Sequence, residues 1–224
     1  MADVEYRQAR TAATQHRLMR AMEKLSAQHG VENVTVKAVI EEAEQKNESA
    51  LQYHFKSKEG LINAIHRLRF AQTQTKRREL LTECLAENPS PTVHDLCYLL
   101  VAPTFQLCRD DAGYRQWIKG FGAKNATVRH PMLEQEVVEE TNSIRIIVNH
   151  LKGLLTQLDE QMFENRYLMV VRIASLSMSN HAKEKGAFCG PGAAFFLSNL
   201  VDVLSGIFTA DVSSETCALA KQAI

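Results

Sequence analysis

Between Thr35 and Lys58 the sequence places Lys37, Lys46, Asn47, Ser49, Ala50, Gln52, Tyr53 and His54, a run rich in short, polar and hydrogen-bonding side chains. Their chemistry is recognition rather than turnover. A Gln amide such as Gln52 presents a donor beside an acceptor and matches the edge of adenine, a contact worth about 1–3 kcal/mol against the wrong base. The methyl of Ala50 suits a thymine methyl, while Tyr53, His54 and the Thr35 hydroxyl can donate to phosphate oxygens. Lys46 and Lys58 add charge, and Lys58 stands at a helix start that already favours an anion. Taken singly, each has a plainer reading. Thr35 and Asn47 read equally as helix caps, Tyr53 and His54 as a partly buried aromatic pair, and Leu51 and Phe55 as core. Glu41, Glu42, Glu44 and Glu48 sit awkwardly beside phosphates and are expected to point away from a duplex.

The spacing around these residues predicts the elements that carry them. Leu18, Met22 and Leu25 line one face of a first helix that ends at Gly30. Thr35 caps a short helix over 36–43 that buries Val36, Val39 and Ile40, and Asn47 opens a second over 48–55. Ser57, followed by Lys58-Glu59-Gly60, starts a long helix through Leu61, Ile62, Ile65 and Leu68 towards Leu81 and Leu85. Asn88-Pro89-Ser90-Pro91 closes it. Further helices are predicted over 92–109, 113–120, 132–158, 160–185 and 193–209, with a short one after Ser213. His130-Pro131 and Gly190-Pro191-Gly192 are the clearest breaks. Strand-like alternation is scarce, so the class is all-α.

Charge and cysteine usage narrow the function classes. Lys+Arg and Asp+Glu are both 26, so the chain as a whole lacks a basic signature. The residues from Met1 to Arg78 nevertheless carry a net +5 and the rest −5, a split that lets one end meet phosphates. Cys84, Cys97, Cys108, Cys189 and Cys217 are scattered and odd in number, which argues against a disulfide framework or a zinc site. They read as reduced, mostly buried thiols. No N-terminal apolar leader and no apolar run long enough to cross a bilayer is evident, so a cytoplasmic protein without a membrane partner is expected. The histidines show no Ser/His/Asp grouping or HExxH spacing, and Gly186–Gly192 lacks a following Lys-Ser/Thr, so no catalytic or metal residues and no resident cofactor are expected.

Thr35-Val36-Lys37-Ala38-Val39-Ile40, followed by Leu51-Gln52-Tyr53-His54-Phe55-Lys56-Ser57-Lys58-Glu59-Gly60-Leu61, resembles the DNA-binding domain of TetR/AcrR-family transcriptional regulators over roughly residues 10–65. The family pattern joins a Thr-capped helix, a turn, a recognition helix ending in Tyr-x-His-Phe, and a Ser-Lys-Glu start to the next helix. Where the family often reads Ala-Gly-Val-Ser, this chain has Glu44-Gln45-Lys46-Asn47, and Gln52 stands where a Tyr is usual. The resemblance implies an N-terminal helix-turn-helix domain over 1–56 and a helical effector-binding and dimerisation domain over 57–224. It implies a ligand-released repressor that binds a palindromic double-stranded operator as a homodimer. Arg7, Arg10 and Arg17 are expected to extend the contact along the duplex.

The C-terminal two-thirds carries two helices that are apolar on more than one face. Their residues Leu176, Phe196, Leu200, Val203, Leu204 and Ile207 are the expected dimer interface, built as a four-helix bundle with a second copy. Phe105, Trp117, Phe121, Ile147, Leu151, Met169 and Arg172 are the candidates for a pocket taking a small apolar or amphipathic effector. Taken singly, each apolar member reads first as plain core. Arg172 interrupts an apolar run and needs a partner, either Glu139 or Glu140 or an acidic group on the effector. Helical carriers and scaffolds share these C-terminal features but have no use for the pattern at 35–58.

Overall fold

A computed structural model describes the backbone of residues 2–126 and 142–220, and the side chains of these from residue 9 onward except Asn125. Among the described residues there are ten α-helices and no strand. They are α1 (Ala2–His29), α2 (Val36–Glu42), α3 (Ser49–Phe55), α4 (Lys58–Glu87), α5 (Val93–Asp110), α6 (Ala112–Asn125), α7 (Ser143–Leu154), α8 (Glu160–His181), α9 (Gly190–Thr209) and α10 (Ser214–Ala220). The all-α expectation stands.

Several boundaries differ from the pattern, among them the end of α8, which stops at His181, four residues short of the expected 185. The helix expected over 113–120 runs on to Asn125 because its glycines are packing sites and not stops. A Cβ on Gly120 would lie 2.7 Å from the Ser26 backbone, and one on Gly122 would lie 2.6 Å from the Ser179 Cβ. α6 is thereby wedged between α1 and α8 at backbone distance. Gly190-Pro191-Gly192, expected as a break, begins α9, since proline in a first turn forfeits only an amide that has no helical partner. Of the helix expected over 132–158, the described helical part is Ser143–Leu154, which ends four residues short of 158, and His130-Pro131 lies outside the described residues.

Buried apolar residues form a continuous cluster from Leu18, Met22, Leu51 and Leu61 through Leu96, Phe105 and Phe121 to Leu151, Leu204 and Phe208. Each fully buried Leu, Ile or Phe contributes about 1.5–3 kcal/mol. α4 starts against α3 and continues to α5 and α7, so it belongs to both ends of the molecule. Where α1, α4 and α6 meet, buried Arg69 grips Glu23 through two bonds of 2.7 and 2.8 Å and reaches Asp111 at 2.9 Å. Burial alone would lower the Arg69 guanidinium, but Glu23 and Asp111 outweigh it and hold the group charged. Asp111 also caps α6 by accepting from the Gly113 amide at 2.7 Å.

Two expectations about apolar residues and thiols need correction. α9, with 20 residues and a mean hydropathy of 1.5, is long and apolar enough to cross a membrane by length and composition. The reason is that it is apolar on two faces: Leu200, Val201, Leu204 and Phe208 point inward, while Phe195 and Val203 are exposed. Of the five free cysteines, Cys97 and Cys108 are buried and Cys84 is half-buried, but Cys189 and Cys217 are exposed. Burial pushes the Cys97 thiol up to about 11, so it stays protonated.

Candidate nucleic-acid interface

The segment from Gly30 to Gly60 builds two short helices on a platform. Gly30, at φ 81°, ends α1 with a positive φ that favours glycine and lets the chain reverse through a 3-10 turn at Val31–Asn33. Thr35 caps α2, its Oγ1 accepting from the Ala38 amide at 3.2 Å. Val39 and Ile40 face inward with Leu18 and Met22 of α1. The turn then closes through Glu44, which adopts φ 54°. Its amide donates to Glu41 O at 3.0 Å, and the Gln45 amide donates to Ile40 O at 2.9 Å. This is the six-to-one and five-to-two bond pair of a left-handed helix end, made here without glycine.

Asn47 caps as expected in chemistry but not in register. α3 begins at Ser49, one residue later than the sequence pattern, because Asn47 Oδ1 accepts from the Ser49 amide at 3.1 Å in a side-chain turn ahead of the helix. The Ser49 hydroxyl donates to the same oxygen. Across α3, Leu51 and Phe55 are buried against α4 while Asn47, Ser49, Gln52 and Tyr53 are exposed, Tyr53 at 72%. Ala50 and His54 are half-buried at the boundary. The first turn therefore offers small and polar groups to the outside, with its backbone unshielded by large side chains. Tyr53 and His54 meet edge to face at 4.9 Å. Burial lowers the His54 imidazole from its usual 6.5, so it acts as a neutral N–H donor near neutral pH.

Gly60 holds the recognition helix to α4. A Cβ there would stand 1.9 Å from the Phe55 carbonyl oxygen, so only glycine permits the chain to turn so tightly from α3 into α4. Ser57 caps α4, accepting from the Gly60 amide at 3.0 Å, and leaves Lys58 in its first turn.

The positive charge around this surface is smaller than the count over the first third implies. Arg10, Arg17, Lys37 and Lys46 are exposed, and Lys58 is half-buried. Arg69 and Arg77, both counted in the +5, are buried and turned inward. The Arg7 side chain lies outside the described set. Lys56 is exposed at the end of α3 with φ 69°, between the recognition helix and Lys58. The pattern did not single it out, although Lys56-Ser57-Lys58 puts two cations on either side of a cap. Of the acids, Glu42 is drawn to Lys24 on α1 at 2.6 Å and Glu41 lies 3.9 Å from Lys37. Glu44 and Glu48 stay exposed on the turn.

The other candidate residues divide by face. Phe105, Trp117, Phe121, Ile147 and Leu151 are all buried. Met169, 54% exposed, and Arg172 stand on the outer side of α8 and do not lie between helices, which corrects their assignment to an internal pocket. Glu139 and Glu140, offered as partners for Arg172, lie outside the described residues. Leu200 and Leu204 point into the protomer and cannot face a second copy, another correction. Phe196 is half-buried and stacks on His181 at 3.9 Å, and Ile207 is half-buried. Leu176 and Val203 are exposed, and with them Met169, which the sequence assigned to the pocket, and Ile173 and Phe195, which it did not assign to the interface. Their signal was present in the spacing 169, 173 and 176, one helical stripe. Two surface grooves are apparent, one between the Pro89–Pro91 bend and the end of α7, the other along α4 at Leu68, Gln72 and Lys76. No group of three His, Cys, Asp or Glu side chains suited to a metal ion occurs among the described residues.

Residues 18–65 match the family profile described as bacterial regulatory proteins, tetR family. The match runs from Leu18 of α1 to Ile65 of α4 and so contains α2, the turn, α3 and the Gly60 junction. No curated protein matches the chain.

Proposed function

We propose, from the match of residues 18–65 to the tetR-family profile, that this chain is a tetR-family DNA-binding transcriptional regulator, a ligand-released repressor acting as a homodimer on a palindromic operator. The supporting observation is α3. Its buried side is Leu51 and Phe55, and its exposed side is Ser49, Gln52 and Tyr53, with exposed Asn47 in the turn before it and a capped partner helix behind it. A helix entering the major groove needs this division, because bulky apolar side chains on the outer first turn would hold the backbone away from base edges. In this reading Gln52 reads adenine and Ala50 touches a thymine methyl. Thr35, Tyr53, His54, Lys37, Lys46 and Lys58 bind phosphates, and Lys56, Arg10 and Arg17 extend the charged track.

Residues 1–56 form the DNA-binding unit and 57–224 the effector-binding and dimerising unit. The dimer forms through the exposed apolar stripe of α8 (Met169, Ile173 and Leu176) and the outer face of α9 (Phe195 and Val203). A second copy covering that stripe accounts for the apolar character of α9 on its outer side. Effector binding among the helices of the larger unit shifts α4 and α6, and both pack on α1. Arg69 links the same elements, so a displacement there alters the separation of the two recognition helices. Couplings of this kind amount to about 1–3 kcal/mol.

The test is binding of purified protein to duplex from the region upstream of its own gene, titrated with salt. A steep loss of affinity with rising salt and a stoichiometry of two chains per site are expected. Failure to retain any duplex at low ionic strength would end the reading.

A further inference from the structure

α4 carries two buried arginines eight residues apart whose surroundings differ in kind. Arg69 has two carboxylates at 2.7–2.9 Å. Arg77, 6% exposed, has none among the described residues. Its Nε donates to Leu99 O at 3.2 Å, its two terminal nitrogens to Gln74 Oε1 at 3.2 Å and to Leu100 O at 3.4 Å. The Leu99 carbonyl is available because Pro103, four residues on, has no amide to offer it. These bonds are long for a charged donor, whose partners ordinarily stand at about 2.7–2.9 Å, and they occupy three of five N–H groups. A cation this deep without a counter-charge is costly to keep.

Polar side chains at the start of α7 join Arg77 through Gln74. Gln74, which accepts from Arg77, also accepts from Ser143 Oγ at 2.6 Å and donates to Asn142 at 2.9 Å. Thr73 on α4 shares a 2.6 Å bond with the Tyr114 hydroxyl. Tyr114 packs edge to face on Trp117 with ring centroids 5.1 Å apart. The Trp117 Nε1–H is itself buried with no acceptor. An undercompensated guanidinium on α4 and a buried indole donor without a partner on α6 share a single deficit: acceptor oxygens carrying negative charge. Phe105, Ile147 and Leu151 supply buried apolar surface on the helices that pack against this part of α4.

We infer that Arg77 is the anion-recognising residue of the effector site, and that the effector is a small monocarboxylic acid with an apolar body. The inference rests on reading residues 57–224 as an effector-binding unit. A carboxylate is favoured over a phosphate because a single buried guanidinium neutralises one charge, whereas a dianion would leave a second charge unpaired in the same apolar surroundings. The acidic recognition that the sequence pointed to at Arg172 thus moves to α4, where the arginine is buried.

The chain has one tryptophan, so its emission reports on Trp117 alone, packed on α6 against Tyr114. Octanoate and benzoate are titrated into the protein–duplex complex beside their neutral amides, with Trp117 emission, Tm and duplex retention read together. The expected result is an emission change and a raised Tm with an acid and not with its amide. Arg77→Gln weakens the response to the acid by at least about tenfold, while duplex binding without ligand is kept. Equal binding of acid and amide, an unchanged response in Arg77→Gln, or no response to either acid would overturn the inference. The acid–amide comparison needs no variant, so poor folding of Arg77→Gln cannot shield it. Acid-specific binding that leaves the duplex bound would support the anion site and remove the release mechanism, whereas release by the amides as well would do the reverse.

Discussion

α3 and the α8–α9 pair each turn a face outward, and the two faces have opposite chemistry. α3 and the turn before it expose an asparagine, a serine, a glutamine and a tyrosine, and α3 keeps its leucine and phenylalanine inside. α8 and α9 keep apolar residues inside and also expose Met169, Ile173, Leu176, Phe195 and Val203. Exposure alone therefore says little about a surface. Polar groups around an accessible backbone suit a hydrated, charged partner, while an apolar stripe across two helices suits a second protein surface that excludes water.

The sharpest way to separate the faces is Gly60→Ala. The added methyl meets the Phe55 carbonyl, so α3 must tilt away from α4 at a cost of about 1–3 kcal/mol or more. Duplex affinity is expected to fall below detection, with a lower Tm, while sedimentation still shows the dimer. The converse is Leu176→Glu with Val203→Glu. Two charges on the apolar stripe leave each protomer folded but monomeric in sedimentation, and the loss of paired half-site binding weakens operator affinity by about a hundredfold. A variant that stayed dimeric would move the interface elsewhere.

His66 probes the joint between the faces. It packs edge to face on Trp117 and Phe121 of α6, at 6.1 and 5.4 Å. Burial, with Lys124 as a lesser cause, lowers its imidazole from the usual 6.5. The unfolded chain then binds the proton more readily than the native one. His66 thus leaves stability intact above about 6.5 and withdraws it as pH falls from there towards the native value. Tm measured across that range should fall with acid, and His66→Phe should flatten the slope. The smallest expected effect is at the turn. Glu44 holds φ 54°, so Glu44→Gly should raise stability by about 1 kcal/mol in denaturant melts without changing half-site preference.

These variants also mark how far the sequence alone was legible. The caps at Thr35 and Ser57, the buried stripes at Leu18, Met22, Val39 and Ile40, and the polar first turn of α3 are local features, set by spacing within a few residues, and they could be read directly. What escaped depended on contacts far apart in sequence. Gly120 and Gly122 look like stops until Ser26 and Ser179 are seen against them. Leu200 and Val203 are equally apolar, and only the packing of α5 and α8 decides which faces out. Arg77 sits in a basic run, Lys76-Arg77-Arg78, and nothing local distinguishes the one that turns inward. Pro103 was the available clue, since a proline inside a helix frees a carbonyl that needs a donor.

The most direct test of the central claim compares Gln52→Ala and Lys46→Ala on the operator and on its single-base variants across a salt series. Gln52→Ala should cost about 1–3 kcal/mol and relax preference at one base pair per half-site, with the salt slope unchanged. Lys46→Ala should weaken all sequences alike and reduce the slope by about one. If both variants bind every sequence and salt concentration as the parent does, the outward turn of α3 does not lie in the groove.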